Sequence, residues 1–83
     1  MALEIKLGGF GDDRPALFGK RDRLELDIET PASPEAMLQA LGIVDTTGLV
    51  LMNADSVIPA RQWRDAVIAA SDRITILAAI EGG

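Results

Sequence analysis

Neither cysteine nor histidine occurs among the 83 residues. Without a thiol or an imidazole there is no thiolate nucleophile, no Ser-His-Asp relay and no imidazole base, and the usual zinc and copper ligand sets are excluded. No catalytic residue and no metal site are therefore expected in the chain itself. A disulfide or structural zinc cannot supplement the core either, although a domain this small buries only about 60% of the surface its unfolded chain exposes. Stability must come from an efficient small sheet or bundle. Secreted domains of this length more often carry disulfides, so a cytoplasmic location is expected. Long apolar runs are missing too. The stretch from Ile74 to Ile80 falls far below the roughly 20 residues of a membrane span, and Met1-Ala2-Leu3-Glu4 lacks the basic start of a signal peptide. The expectation is a soluble protein with no membrane partner.

Positive charge is also scarce. Eight Lys and Arg stand against thirteen Asp and Glu, a net charge of −5, the wrong sign for a domain that grips a phosphate backbone by releasing counterions. No nucleic-acid partner is expected, and a basic partner surface fits better. Arg14, Lys20, Arg21 and Arg23 do gather in one segment, but Asp12, Asp13 and Asp22 are interspersed with them, which is the pattern of a solvated loop. The hydrophobic content of 48% and charged content of 25% are those of a folded chain, and residues 1–83 have room for one domain.

Leu3-Glu4-Ile5-Lys6-Leu7 alternates apolar and polar with period two, predicting a strand with Leu3, Ile5 and Leu7 on one face. Gly8, Gly9 and Gly11 break it, and Gly8 to about Arg23 reads as a long polar connection holding Phe10, Pro15 and Phe18. Leu24 to Glu29 repeats the alternation as a second strand. Ser33-Pro34-Glu35 is a helix start, with Ser33 as N-cap and Pro34 at the first helical position, and Gly42 is suited to close the helix behind Met37, Leu38 and Leu41. Leu49 to Met52 is a continuous apolar run, the mark of a strand that is covered on both sides or sits centrally. Asn53-Ala54-Asp55 turns it into a short return strand at Val57-Ile58. Pro59 to about Ala70, with Arg61 and Asp65 four apart, predicts a turn of helix that lays Trp63 over one end of the core. Arg73 to Ala78 is a last strand with Ile74, Ile76 and Ala78 on one face and Thr75, Leu77 and Ala79 on the other. This order describes an α+β fold of the β-grasp type: a small mixed sheet, one main helix and a short second helical turn.

Nucleotide-binding signatures are absent: Gly9-x-Gly11 lacks the third glycine of a dinucleotide loop, and Gly19-Lys20 lacks the flanking residues of a phosphate loop. Met37 and Met52 read as packing, Asp12 and Asp13 as solvated carboxylates.

The sequence ends Ile80-Glu81-Gly82-Gly83 directly after the last predicted strand. A diglycine there forms a side-chain-free arm, about 13 Å long from Ile80, able to carry a main-chain carboxylate into a slot that a Cβ would block. Together with this ending, Asn53, Val57-Ile58-Pro59-Ala60-Arg61-Gln62-Trp63 and Ser71-Asp72-Arg73-Ile74 resemble the ubiquitin-like sulfur carriers of the ThiS/MoaD family. The second half is closest to ThiS, while the long Gly8 to Arg23 connection is more like MoaD. Ser71 stands where the family usually has glycine.

The resemblance implies a protein that is itself the reagent. An E1-like adenylating enzyme would use Mg-ATP to turn the Gly83 carboxylate into an acyl-adenylate, a sulfur donor would displace AMP, and the thiocarboxylate would pass sulfur to an acceptor synthase. No cofactor would be bound by this chain. The acceptor would be a thiazole synthase, serving the thiazole of thiamine, with a molybdopterin synthase large subunit as the alternative. Gly83 is thus the candidate modified residue and Gly82 the candidate threading residue of a flexible tail. Phe10, Leu77, Ala79 and Ile80 are candidate partner-docking residues, Leu77 because alternation turns it outward one step before the tail. Phe10 has a rival reading, a loop ring tucked under its own connection. Two other functions compete: a ubiquitin-like modifier that ends in an isopeptide bond to lysine, and a passive β-grasp interaction module.

Overall fold

The computed structural model describes residues 2–10 and 15–78. Strand β1 (Ala2–Gly8) pairs antiparallel with β2 (Arg23–Asp27), Leu3 opposite Leu26 and Ile5 opposite Leu24. This register puts the apolar members of both alternations on one face, where Leu3, Ile5, Leu7 and Leu26 are buried. β2 ends two residues before the alternation does, where Asp27 faces Ala2 at the start of β1. Ile28 still packs against the core.

Helix α1 (Pro34–Ala40) forms as its caps dictate. The Ser33 hydroxyl accepts from the Ala36 N–H at 3.1 Å, Pro34 occupies the first turn and Glu35 sets an acid there. At the other end Gly42 takes φ +78°, while its N–H donates to the Gln39 carbonyl and that of Ile43 to the Leu38 carbonyl, a Schellman closure. Met37, Leu38 and Leu41 are buried. Ser33→Ala is expected to cost about 1 kcal/mol, read as a lower denaturation midpoint; an unchanged midpoint contradicts the capping role.

Strands β3 (Leu49–Asn53), β4 (Ser56–Ile58) and β5 (Arg73–Ala78) complete a five-stranded sheet in the order β2-β1-β5-β3-β4. β5 lies parallel to β1 and antiparallel to β3, so the chain's last described strand occupies the middle of a mixed sheet. The apolar run of β3 is central rather than covered on both sides: Leu51 is fully buried, whereas Val50 and Met52 are half-buried on the other face. Met52 therefore does not join the core as Met37 does.

Two connections differ from expectation. The first holds a 3-10 turn at Ala16–Phe18, which drives Phe18 to 0% exposure at the centre of the core. It is a core-filling segment, not simply a polar loop. The second has a 3-10 turn at Ala60–Gln62, after which the Glu35 N–H donates to the Trp63 carbonyl and Ala32 and Ile68 exchange two backbone hydrogen bonds. Ile68 is fully buried. Trp63 is half-buried against the core, with its indole N–H donating to the Ile58 carbonyl at 2.8 Å, as a lid residue should. The expected helical Arg61–Asp65 pair is not formed, because the helical turn is a short 3-10 segment that ends at Gln62, and Arg64 instead makes an exposed contact with Glu35 at 3.9 Å.

Candidate functional site

The candidate site is built on β5, the middle strand of the sheet. At its start the strand is latched: one oxygen of the Asp72 carboxylate accepts from the Asn53 side-chain amide at 3.0 Å and from the Ala69 N–H at 2.8 Å. The Ala54 N–H, in the β3–β4 turn with φ +54°, donates to the Arg73 carbonyl. Asn53 and Asp72, singled out for a family resemblance, thus do structural work that fixes β5 against the β3–β4 hairpin. From there Ile74 and Ile76 point into the core and Thr75 and Leu77 to the opposite face.

That opposite face has a graded character set by register. One row runs Gly8, Leu77, Val50 across β1, β5 and β3; the next runs Lys6, Thr75, Met52, Val57. The β3–β4 side of the face is apolar, and Val57 is 58% exposed there. Toward β2 it becomes charged, with Lys6 opposite Arg23 and Glu4 opposite Glu25. Like charges directly opposite one another cost some sheet stability.

Of the candidate residues, Gly82, Gly83, Ala79 and Ile80 lie outside the described residues. Leu77 is on the outer face as parity requires, but it is half-buried and not freely exposed. The reason is Gly8: a Cβ there would come within 2.7 Å of Leu77 Cδ2, so the leucine occupies the space that a side chain on Gly8 would take. Phe10 is half-buried and packs against the core cluster. Val50, Met52 and Val57 were not among the candidates. Their signal is the register of β3 and β4 against β5, which no single segment displays.

Among the described residues there is no group of three or more acidic side chains able to hold a metal ion, and no helix is long and apolar enough to cross a membrane. Asp45, in the loop after α1, accepts the Thr47 N–H at 3.0 Å, and hydrogen bonding from Thr47 holds its carboxyl below the usual value.

Neither a protein-family model nor a curated protein matches the chain. Among solved structures, SAMP1 from Haloferax volcanii superposes with a TM-score of 0.62 over 100% of both chains, at 15% sequence identity. The fold is a ubiquitin-like β-grasp. In this β-grasp chain the sheet's outer face and the last described residue of β5 are adjacent, since Leu77 lies one residue before Ala78.

Proposed function

We propose that this β-grasp protein is a sulfur carrier whose Gly83 carboxylate is the chemical site. The observation that carries the reading is positional: the central strand β5, latched at its start by Asp72, leads toward the diglycine from beside an apolar face. In the proposed reaction a carboxylate oxygen of Gly83 attacks the α-phosphorus of ATP on an E1-like partner, and pyrophosphate leaves. Bisulfide, or a donor delivering sulfur at that oxidation level, then attacks the acyl carbon, the acyl–oxygen bond breaks and AMP leaves with the electron pair. A carboxylate is a poor electrophile until this exchange of leaving group, and the magnesium and nucleotide site that achieve it belong to the partner. The chain needs no histidine or cysteine for such a role. It supplies reach, a convertible carboxylate and a docking face.

The thiazole of thiamine is the proposed destination of the sulfur, on the resemblance of residues 53–63 and 71–74 to ThiS; molybdopterin is the alternative. The deciding experiment incubates the chain with an E1-like enzyme, Mg-ATP and bisulfide and measures its intact mass. The expected result is a gain equal to the difference between a sulfur and an oxygen atom, and an unchanged mass rejects the reading.

The likeness to SAMP1, a ubiquitin-like small archaeal modifier protein, favours a second use of the same chemistry, in which a lysine amine takes the acyl group from AMP. Conjugates that shift on denaturing gels and vanish with the last two residues removed would support it.

Docking is proposed on the outer face around Leu77, with Val50, Met52 and Val57. Leu77→Asp is expected to weaken partner binding by about 2 kcal/mol or more, the scale of a hot spot. Half-burial over Gly8 implies a small loss of stability as well, so binding and thermal midpoint are measured together. Unaltered affinity in a folded variant places the docking face elsewhere.

A further inference from the structure

Gly8 ends β1 and Gly9 follows it, and the structure distinguishes the two. Gly8 faces Leu77 across the parallel ladder, and its missing side chain leaves room for the leucine Cδ2, the movable tip of a flexible group. Gly9 is different. Its φ is +74°, a region that side-chain-bearing residues rarely occupy, and a Cβ at this position would stand 2.9 Å from the carbonyl oxygen of Ala78. That oxygen belongs to backbone, and it cannot swing aside without rotating the peptide that joins Ala78 to Ala79. The contact thus falls on the peptide through which β5 hands over to the residues leading to Gly83.

We propose that Gly9 is a positioning residue for the reactive arm: bare backbone at this point seats the Ala78 carbonyl and so sets the direction in which the chain continues from Ala78 toward Gly83. The inference rests on the carrier reading above and deepens it. Its mechanical basis is the short span between two functions. Leu77 belongs to the proposed docking face and Ala78 is the last described residue of the strand, so the Gly9 contact stands one residue from the docked surface on the side toward Gly83. Gly8 governs Leu77 and Gly9 governs Ala78. An arm of fixed length that must bring a carboxylate into line with a phosphorus atom loses reach when its origin moves, and a misplacement of about 1 Å can cost on the order of 100-fold in rate.

The test compares Gly9→Ala and Gly9→Asn with Gly8→Ala and Gly42→Ala. Asparagine tolerates positive φ better than alanine but still carries the offending Cβ, so it separates the contact from backbone strain. Gly42→Ala supplies the converse control, since Gly42 has φ +78° and nothing within 4 Å of an added Cβ. ATP–pyrophosphate exchange is measured with an E1-like enzyme as a function of carrier concentration, beside the thermal midpoint of each variant. Both Gly9 variants are expected to lose about ten-fold or more in kcat with KM little changed. Gly8→Ala should act on KM alone, and Gly42→Ala on stability alone. Unchanged kcat in a folded Gly9→Asn variant overturns the proposal.

Backbone amide shifts and residual dipolar couplings from Ala78 to Ile80 in the free proteins provide a readout that needs no enzyme. They should change in both Gly9 variants and stay constant in Gly42→Ala; constancy in all of them rejects the seat. If the unsubstituted chain shows no exchange while the couplings move as expected, the carrier reading fails and the seat stands.

Discussion

A chain that stops at Gly82 is expected to lose sulfur loading by at least about three orders of magnitude, although it still ends in a carboxylate on a glycine. The argument is one of reach. Removing one residue withdraws the carboxylate by about 3.3–3.6 Å, and attack on a phosphorus atom requires the reacting atoms to meet at roughly 3–3.5 Å. A docked carrier cannot recover that distance by sliding, because the surface that holds it stays fixed. Gly82→Ala keeps the length and adds one methyl in a segment meant to pass through a narrow slot, so it should fall between the truncated and full chains while folding normally. Intact mass after incubation with the E1-like enzyme, Mg-ATP and bisulfide gives the comparison. Equal loading of the truncated chain would remove Gly83 from the chemistry.

The largest loss of stability is expected from Phe18→Ala. Phe18 is 0% exposed and heads the fully buried side chains by volume. Truncating a buried phenylalanine costs about 3–5 kcal/mol, through lost transfer energy and the cavity left behind. An 83-residue domain has a total stability of only about 4–12 kcal/mol at 0.05–0.15 kcal/mol per residue. The variant should therefore unfold at much lower denaturant concentration, or be unfolded without any. Leu17→Ala is the matched control, since Leu17 is 52% exposed in the same 3-10 turn and should change the midpoint little. Equal effects at the two positions would show that the connection does not fill the core.

Phe18 marks the limit of what its own neighbourhood announces. Residues 8–23 contain four glycines, a proline and several charges, a loop by every local rule, and nothing within that window says that one ring must fill the core. The same holds for Ile68, buried because its backbone pairs with Ala32, 36 residues earlier. Helix α1, governed by interactions within a few residues, was legible from its ends. Ser33 and Gly42 act through hydrogen bonds spanning three to five positions and Pro34 through its fixed φ, so helix α1 begins and ends where its caps stand.

For the site, the sequence by itself determined the parity of β5 and the diglycine that follows it. Ile74 and Ile76 face the core because side chains alternate along a strand, and that period is a local property. What stands opposite each residue was decided only by the tertiary structure. Leu77 is outward yet half-buried because a parallel ladder sets Gly8 beside it, and Val50, Met52 and Val57 join its face because β3 and β4 pair in one particular register. Register depends on which distant strands meet. A segment read alone shows which side of the sheet a residue takes, and only the partner strand brings the neighbour that fills, covers or exposes it.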